Sequence, residues 1–187
     1  MRKTGISLVV FLFVIGSALP MVAGTLAGVT LSDSVQVAGK TLVLNGMGVR
    51  KKYMVKVYVA GLYLERKSSD ASGILKSDVS KRMVMHFVRG VSKNQLVDGF
   101  KESFENNTPD AKKTMQAEID QFLGTLEDVK DGEEIVLTYV PGTGTTVAIQ
   151  GKDKVTIAAG SFGEVLFSVW LGPKPPNADL KTGLLGQ

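Results

Sequence analysis

Cysteine is absent from the 187 residues, and histidine occurs once, as His86. Without cysteine the chain can form no disulfide, no thiolate metal site and no thiol nucleophile. A multi-histidine metal site is excluded too, and a Ser-His-Asp triad would depend on His86 alone. We therefore expect neither a metal nor a cofactor, and we interpret His86 as a hydrogen-bonded structural residue within a strand.

A strong excess of one charge is also lacking. The chain has 22 Lys and Arg against 18 Asp and Glu, a formal net charge of +4 to which Arg2 and Lys3 contribute. The basic residues look scattered along the sequence rather than clustered, so we expect no nucleic-acid partner, and the charge argues for no anionic membrane either.

Two glycine-rich segments lack the features of phosphate-binding loops. Gly46-Met-Gly48 lacks the later glycine of a dinucleotide fingerprint, and Gly142-Thr-Gly144 lacks the lysine of a P-loop. Each leads into a predicted strand, whereas phosphate sites place the anion at a helix N-terminus. We interpret both segments as turns.

The N-terminus has the features of a secretory signal peptide. Arg2 and Lys3 precede an apolar stretch over residues 6–19, and small residues follow at 22–24. This order is typical of a signal peptide, and the run is shorter than the roughly 20 apolar residues of a membrane span. We predict a signal peptide over residues 1–24, with cleavage as late as residue 27 left open, and one domain over 25–187. The alternative is an uncleaved N-terminal anchor.

The predicted export and the lack of cysteine together indicate a bacterial protein. Small secreted eukaryotic domains usually depend on disulfides, so an exported chain without cysteine is more typical of bacteria. We predict the periplasm of a Gram-negative-type bacterium, with no stable membrane span after signal cleavage.

The periodicity along the chain predicts an α+β domain. Runs of strands beside runs of helices indicate an antiparallel sheet with helices packed on one face. Capping-box spacings at Ser92 and Ser161 and a proline at 109 each predict the start of a helix. The tail is expected to be helical. The predicted strands cover residues 34–44 around a turn at 38–40, 53–64 after a glycine-rich bend at 45–50, 82–89, 134–140, 145–150 and 154–157.

Arg50 and Tyr58 are candidates for binding a carboxylate. If one strand runs without a bulge from Arg50, then Arg50, Met54 and Tyr58 share a face by the period of two. A guanidinium is a planar donor of two hydrogen bonds, and a phenol adds a third donor without charge. The alternative is an outward-facing arginine beside a core tyrosine, and the pattern alone leaves both open.

Two strings of residues resemble the chalcone isomerase superfamily. The first runs from Gly46-Met-Gly48-Val-Arg50 to Glu65, and the second includes Gly160-Ser-Phe162 and continues to Gly186, as in the superfamily's bacterial, exported members. The resemblance covers essentially the whole chain after residue 24. It implies an open-faced β-sandwich-like fold, with a cleft between the large sheet and the helices.

The resemblance implies two different uses for the cleft. Plant chalcone isomerases carry an active-site arginine, which Arg50 matches, but Tyr58 stands where they have threonine. Gln95 and Glu102 stand roughly where they have tyrosine and asparagine, and Ser168 or Val169 replaces a hydroxyl residue. Arginine with tyrosine is instead what the superfamily's non-catalytic fatty-acid-binding members use to hold a carboxylate.

We therefore predict a non-catalytic binding protein for a small apolar carboxylate such as a fatty acid. One alternative is an isomerase, an intramolecular lyase that uses Arg50 on an unknown enone. Another is an accessory envelope protein with no ligand, and the sequence names no protein partner. Methionine suits variable ligand shapes, and Phe167 and Trp170 are expected to pack in the core. The residues predicted to contact the ligand are Arg50 and Tyr58 at the carboxylate, and Met54, Met83, Met85, Phe87 and Phe167 along the apolar tail.

Overall fold

The computed structural model describes residues 24–187, so the predicted signal peptide lies outside the described residues except for Gly24. Seven strands pair in chain order into one antiparallel sheet, and two short strands form a separate hairpin. The strands are β1 (Gly24–Leu26), β2 (Val29–Leu31), β3 (Ser34–Val37), β4 (Lys40–Lys52), β5 (Val55–Leu64), β6 (Lys81–Phe87), β7 (Glu134–Val140), β8 (Gly144–Ile149) and β9 (Lys152–Ile157). The helices are α1 (Ala71–Lys76), α2 (Lys93–Asn107), α3 (Ala111–Thr114), α4 (Gln116–Thr125), α5 (Gly160–Leu171) and α6 (Ala178–Leu184).

The two faces of the seven-stranded sheet are covered differently. Alternate residues of the central strands, including Met83 and Met85, pack with Phe100, Phe122 and Trp170 of the helices in the main core. The opposite face carries a smaller core beneath the β1–β2 hairpin. The α+β prediction with helices packed on one face is therefore confirmed. Among residues 24–187, no helix is both long and apolar enough to cross a membrane.

The glycine-rich segment at 45–50 lies within β4, with a bulge at Asn45 and a register shift after Arg50, so the predicted bend leading into a strand is wrong. The two glycines are needed for packing instead of turning. A Cβ on Gly46 would lie 2.1 Å from the carbonyl oxygen of Gly183, and one on Gly48 would lie 2.4 Å from that of Leu180. Helix α6 thus lies directly against the backbone of β4, an approach that only glycine allows.

The β4–β5 connection is a two-residue turn at Tyr53 and Met54. Lys52 pairs with Val55 across it, and Tyr53 has a φ of +57°. The predicted strand over 53–64 therefore starts too early, because the chain reverses direction at its first two residues. The cost of an aromatic residue with positive φ made this turn hard to recognise from the sequence.

The helices predicted after Ser92 and Ser161 are both present, but only the capping box at Ser92 is correct. The Ser92 side chain accepts from the amide of Gln95, whose side chain accepts from the Ser92 amide, so this capping box is confirmed. Helix α5 instead begins at Gly160 and has no side-chain cap. The helix expected after residue 109 is divided into α3 and α4 at Met115, where φ is −137°. We did not predict helix α1 or the β1–β2 hairpin from the sequence.

Candidate functional site

A cavity of about 580 Å³ lies between the turn end of the β4–β5 hairpin, helix α2 and the C-terminal part of α5. Its apolar lining comes from the sheet and from both helices. These residues are buried because they also belong to the main core. The apolar side chains that reach the cavity include Met85, Leu96, Phe100 and Val169.

Arg50 and Tyr58 both line this cavity. They lie directly opposite each other in the β4–β5 ladder, so their side chains leave the same face of the sheet. The single strand that we expected is wrong, but the hairpin brings the two residues together. The Arg50 guanidinium is half-buried and donates to the backbone oxygen of Lys51 and, at 3.1 Å, to Oδ1 of Asn177 at the start of α6.

The Tyr58 hydroxyl is oriented by Trp170 on α5. Indole Nε1 lies 2.9 Å from the Tyr58 oxygen, and because indole nitrogen can only donate, the tyrosine is the acceptor. The hydroxyl keeps its own hydrogen for a second bond, and no residue of the described chain accepts it. An uncharged donor therefore remains free for a ligand beside the Arg50 charge.

The environment of Tyr58 keeps this donor protonated. Burial raises the pKa of Tyr58 to about 12, although the hydrogen bond from Trp170 and the positive charge of Arg50 lower it. At neutral pH the phenol is therefore neutral and cannot act as a general base. It can donate a hydrogen bond to an anion, and Arg50 can supply charge and further donors to the same anion.

The sequence over residues 23–186 matches a family model described as chalcone isomerase-like. The chain belongs to the chalcone isomerase-like family. A fatty-acid binding protein of Arabidopsis thaliana has the same fold, with a TM-score of 0.69 over 87% of this chain and 95% of that one. The two sequences are 15% identical, so the likeness extends to the fold alone. No curated protein matches the sequence.

Three of the residues that the resemblance to plant isomerases singled out line the cavity. Gln95 and Glu102 line it from α2, and Val169 lines it from α5. Ser168 is turned elsewhere, since its Oγ donates at 2.6 Å to the carbonyl oxygen of Val165. Helix α5 therefore presents the apolar Val169, and not the Ser168 hydroxyl, to the cavity.

Of the other residues that we predicted to contact the ligand, one lines the cavity and four do not. Met85 lines the cavity. Phe87 is fully buried and its ring meets that of Tyr58 edge-on, with centroids 5.4 Å apart. Met83 and Phe167 are also fully buried in the core. The expected place of Met54 on the face of Arg50 and Tyr58 is wrong, because the hairpin turns there and leaves its side chain 92% exposed.

Several charged residues around the cavity were not predicted. Lys52, Arg89 and Lys174 line it together with the acids Asp98 and Glu102. This arrangement is hard to predict from the sequence, because Arg89 follows β6 and Lys174 follows α5, far apart along the chain. The excess of positive charge favours an anionic group near Arg50.

His86 lies away from the cavity, on the other face of β6. Its Nδ1 is 2.9 Å from Oε1 of Glu134 on the neighbouring strand, which agrees with a structural role. Within residues 24–187, no group of three or more His, Asp and Glu side chains is arranged to hold a metal ion.

Proposed function

We propose that this chain is a non-catalytic carrier of a small apolar carboxylate such as a fatty acid. The observation that carries the proposal is the Tyr58 hydroxyl. It accepts from Trp170, stays protonated and has a free donor beside Arg50. A carboxylate placed between the two side chains would accept from both, and hydrogen bonds to charged groups are the stronger class.

The rest of the cavity suits an apolar tail. A volume of about 580 Å³ falls within the roughly 300–1,000 Å³ of small-molecule sites, and apolar side chains line one part of this cavity while polar ones line the other. Met85 and Phe100 offer apolar contact beyond the polar pair. The Arabidopsis protein of the same fold is a fatty-acid binding protein, which supports the same ligand class here.

The two alternative functions have less support. An isomerase of the plant type would require polar groups that are replaced here by Gln95 and Glu102, and Tyr58 is neutral at physiological pH. If the protein were an accessory protein without a ligand, we would expect side chains to fill the space near Arg50. That space is an open cavity instead.

We also propose that the protein is exported to the periplasm and that its signal peptide is cleaved near the start of β1, after Gly24 and not after residue 27. Cleavage after residue 27 would remove all of β1, whose three residues pair with β2. Cleavage after Gly24 leaves most of this strand in place. The intact mass of the protein isolated from its host cells gives the cleavage position directly.

The main test is native mass spectrometry of the protein isolated from its host, with extraction of whatever is bound. We expect a co-purifying fatty acid or similar carboxylate. Arg50→Ala should weaken its retention by about tenfold to a hundredfold, since a hydrogen bond to a charged group contributes about 1.5–3 kcal/mol. Arg50→Lys keeps the charge and loses the planar donor pair, so its retention of the ligand should lie between that of the unchanged protein and that of Arg50→Ala.

The matched control is Arg66→Ala, an exposed arginine that does not line the cavity. It should retain the ligand like the unchanged protein. Equal retention by Arg50→Ala and Arg66→Ala would contradict the proposal. Turnover of a chalcone by the pure protein would instead support the isomerase function.

A further inference from the structure

The tip of the β4–β5 hairpin, residues 51–56, exposes large apolar side chains to solvent. Tyr53 is 90% exposed, Met54 is 92% exposed and Val55 is 47% exposed. Val79 is the other large apolar residue with comparable exposure in residues 24–187. A concentration of exposed apolar side chains at one place is typical of a binding surface.

The same tip concentrates positive charge. Lys51, Lys52 and Lys56 are exposed, and none of them forms an ion pair with a described residue. Lys51 lies directly opposite Lys56 in the ladder, and like charges in directly opposed positions destabilise a sheet. No ion pair within residues 24–187 relieves this repulsion, whereas an external anionic surface would.

The turn itself holds an aromatic side chain outward at a cost. Tyr53 has positive φ in a two-residue turn, a position where glycine is favoured. Residues kept in such strained conformations cluster at ligand-binding and switch regions. The strain here presents a tyrosine to solvent next to methionine and lysine, and tyrosine and lysine both suit the interface of a membrane.

We propose that this hairpin tip docks onto an anionic lipid surface. The apolar side chains of Tyr53 and Met54 enter the interfacial region while the lysines contact lipid headgroups. A protein partner fits less well, because stable protein interfaces bury about 800 Å² on each side, which a convex turn of six residues cannot supply. A bilayer needs only a few inserted side chains together with basic residues.

The position of the tip gives docking a use. Lys52, Tyr53 and Val55 line the same cavity as Arg50 and Tyr58, so a docked tip places the cavity next to the bilayer. An apolar carboxylate could then pass between membrane and cavity without crossing bulk water. This transfer step rests on the proposed function, whereas docking itself does not.

The test is co-sedimentation of ligand-free protein with vesicles of equal parts phosphatidylethanolamine and phosphatidylglycerol. We expect binding that weakens as salt is raised and that is absent with phosphatidylcholine alone. A lysine near an anionic membrane contributes a factor of about five in affinity, so the triple change at the tip should reduce binding about a hundredfold. The triple change is Lys51→Gln, Lys52→Gln and Lys56→Gln.

A second triple variant controls for net charge. It removes three exposed basic residues beyond the other end of β5, and it should bind the vesicles like the unchanged protein. All variants share one N-terminus, so residues 1–23 cannot cause a difference between them. Equal losses in the two triple variants would overturn the proposal. The control changes are Arg66→Gln, Lys67→Gln and Lys76→Gln.

Insertion of the tip is tested separately. Fluorescence of a Met54→Trp variant should shift to the blue on anionic vesicles and be quenched by brominated lipid, beyond the background of buried Trp170. A tryptophan there that stays unquenched overturns insertion. Tyr53→Ser with Met54→Ser should weaken vesicle binding, while Val79→Ser, at the other exposed apolar position, should not.

Failure of docking and failure of the carrier proposal give different results. If the protein retains fatty acid but binds no anionic vesicle, only the docking proposal is refuted. If it binds vesicles through its tip but holds no carboxylate, only the carrier proposal is refuted. Self-association through the tip in the absence of lipid would also overturn docking, since the apolar residues would then be occupied.

Discussion

Replacing Tyr58 by phenylalanine removes one oxygen atom and tests the centre of the proposed site. The ring remains, so its edge-on contact with Phe87 is kept. The hydrogen bond from Trp170 is lost, and Trp170 is fully buried, so its indole N–H is left without a partner. An unsatisfied buried donor costs about 1–3 kcal/mol, and we expect the free energy of unfolding to fall by that amount.

The same change should weaken ligand binding by a comparable factor. The hydroxyl would donate to a carboxylate, and a hydrogen bond to a charged acceptor contributes about 1.5–3 kcal/mol, or roughly tenfold to a hundredfold in Kd. Because burial raises the pKa of Tyr58 to about 12, the donor is present throughout the neutral range. The ratio of the two Kd values should therefore not change between mildly acidic and mildly alkaline pH.

Two measurements separate stability from binding. Unfolding in urea is followed by the fluorescence of Trp170, the sole tryptophan, and binding is followed by displacement of a fluorescent fatty acid. Tyr63→Phe is the matched control, because it removes a buried hydroxyl that donates at 2.8 Å to the carbonyl oxygen of Ser32, in the core of the opposite sheet face. It should lower stability and leave affinity unchanged. Equal affinities for Tyr58→Phe and Tyr63→Phe would refute the reasoning.

Three further predictions concern the tail, the pH dependence and the packing of α6. Fatty-acid affinity should rise about fourfold for each added methylene until the cavity is filled, because burying one contributes about 0.8 kcal/mol; displacement titrations with a chain-length series measure this. The raised pKa of Tyr58 makes the folded state hold its proton more strongly than the unfolded one, so stability should fall from about pH 10 to about pH 12, by about 2–3 kcal/mol through this group and less in Tyr58→Phe. Gly48→Ala should destabilise by about 1–3 kcal/mol in urea, since its Cβ would meet the Leu180 backbone, whereas Gly124→Ala on α4 meets nothing within 4 Å and should be neutral or stabilising.

Most of the fold could be predicted because its elements are determined by local patterns. The capping box at Ser92 and the alternating residues of β6 and β7 need no distant contact to be recognised. The glycines of β4 were misread because their cause is not local. Gly48 and Leu180 approach each other across more than a hundred residues of chain, and a strand that accommodates a helix looks in sequence like a bend.

The candidate site was only partly predictable for a related reason. Arg50 and Tyr58 were placed on one face by assuming a single strand, and they share a face for a different reason, because the hairpin pairs them directly. Met54 was chosen by the period of two, and the period fails where the chain reverses at Tyr53. The sequence could not reveal this turn, because an aromatic residue stands where glycine is favoured. The lysines that look merely adjacent in sequence become a cluster only when the hairpin sets Lys51 opposite Lys56.

Trp170 shows how a residue correctly assigned to the core can still determine the properties of the site. Its ring is fully buried among Phe100 and other core residues, as its place on an apolar helix predicts. Its single polar atom nevertheless fixes the role of the Tyr58 oxygen as acceptor, which leaves the hydroxyl hydrogen for the cavity. The donor direction at the site therefore depends on the packing of α5. Substitutions that displace this helix should weaken carboxylate binding even where they do not touch the cavity.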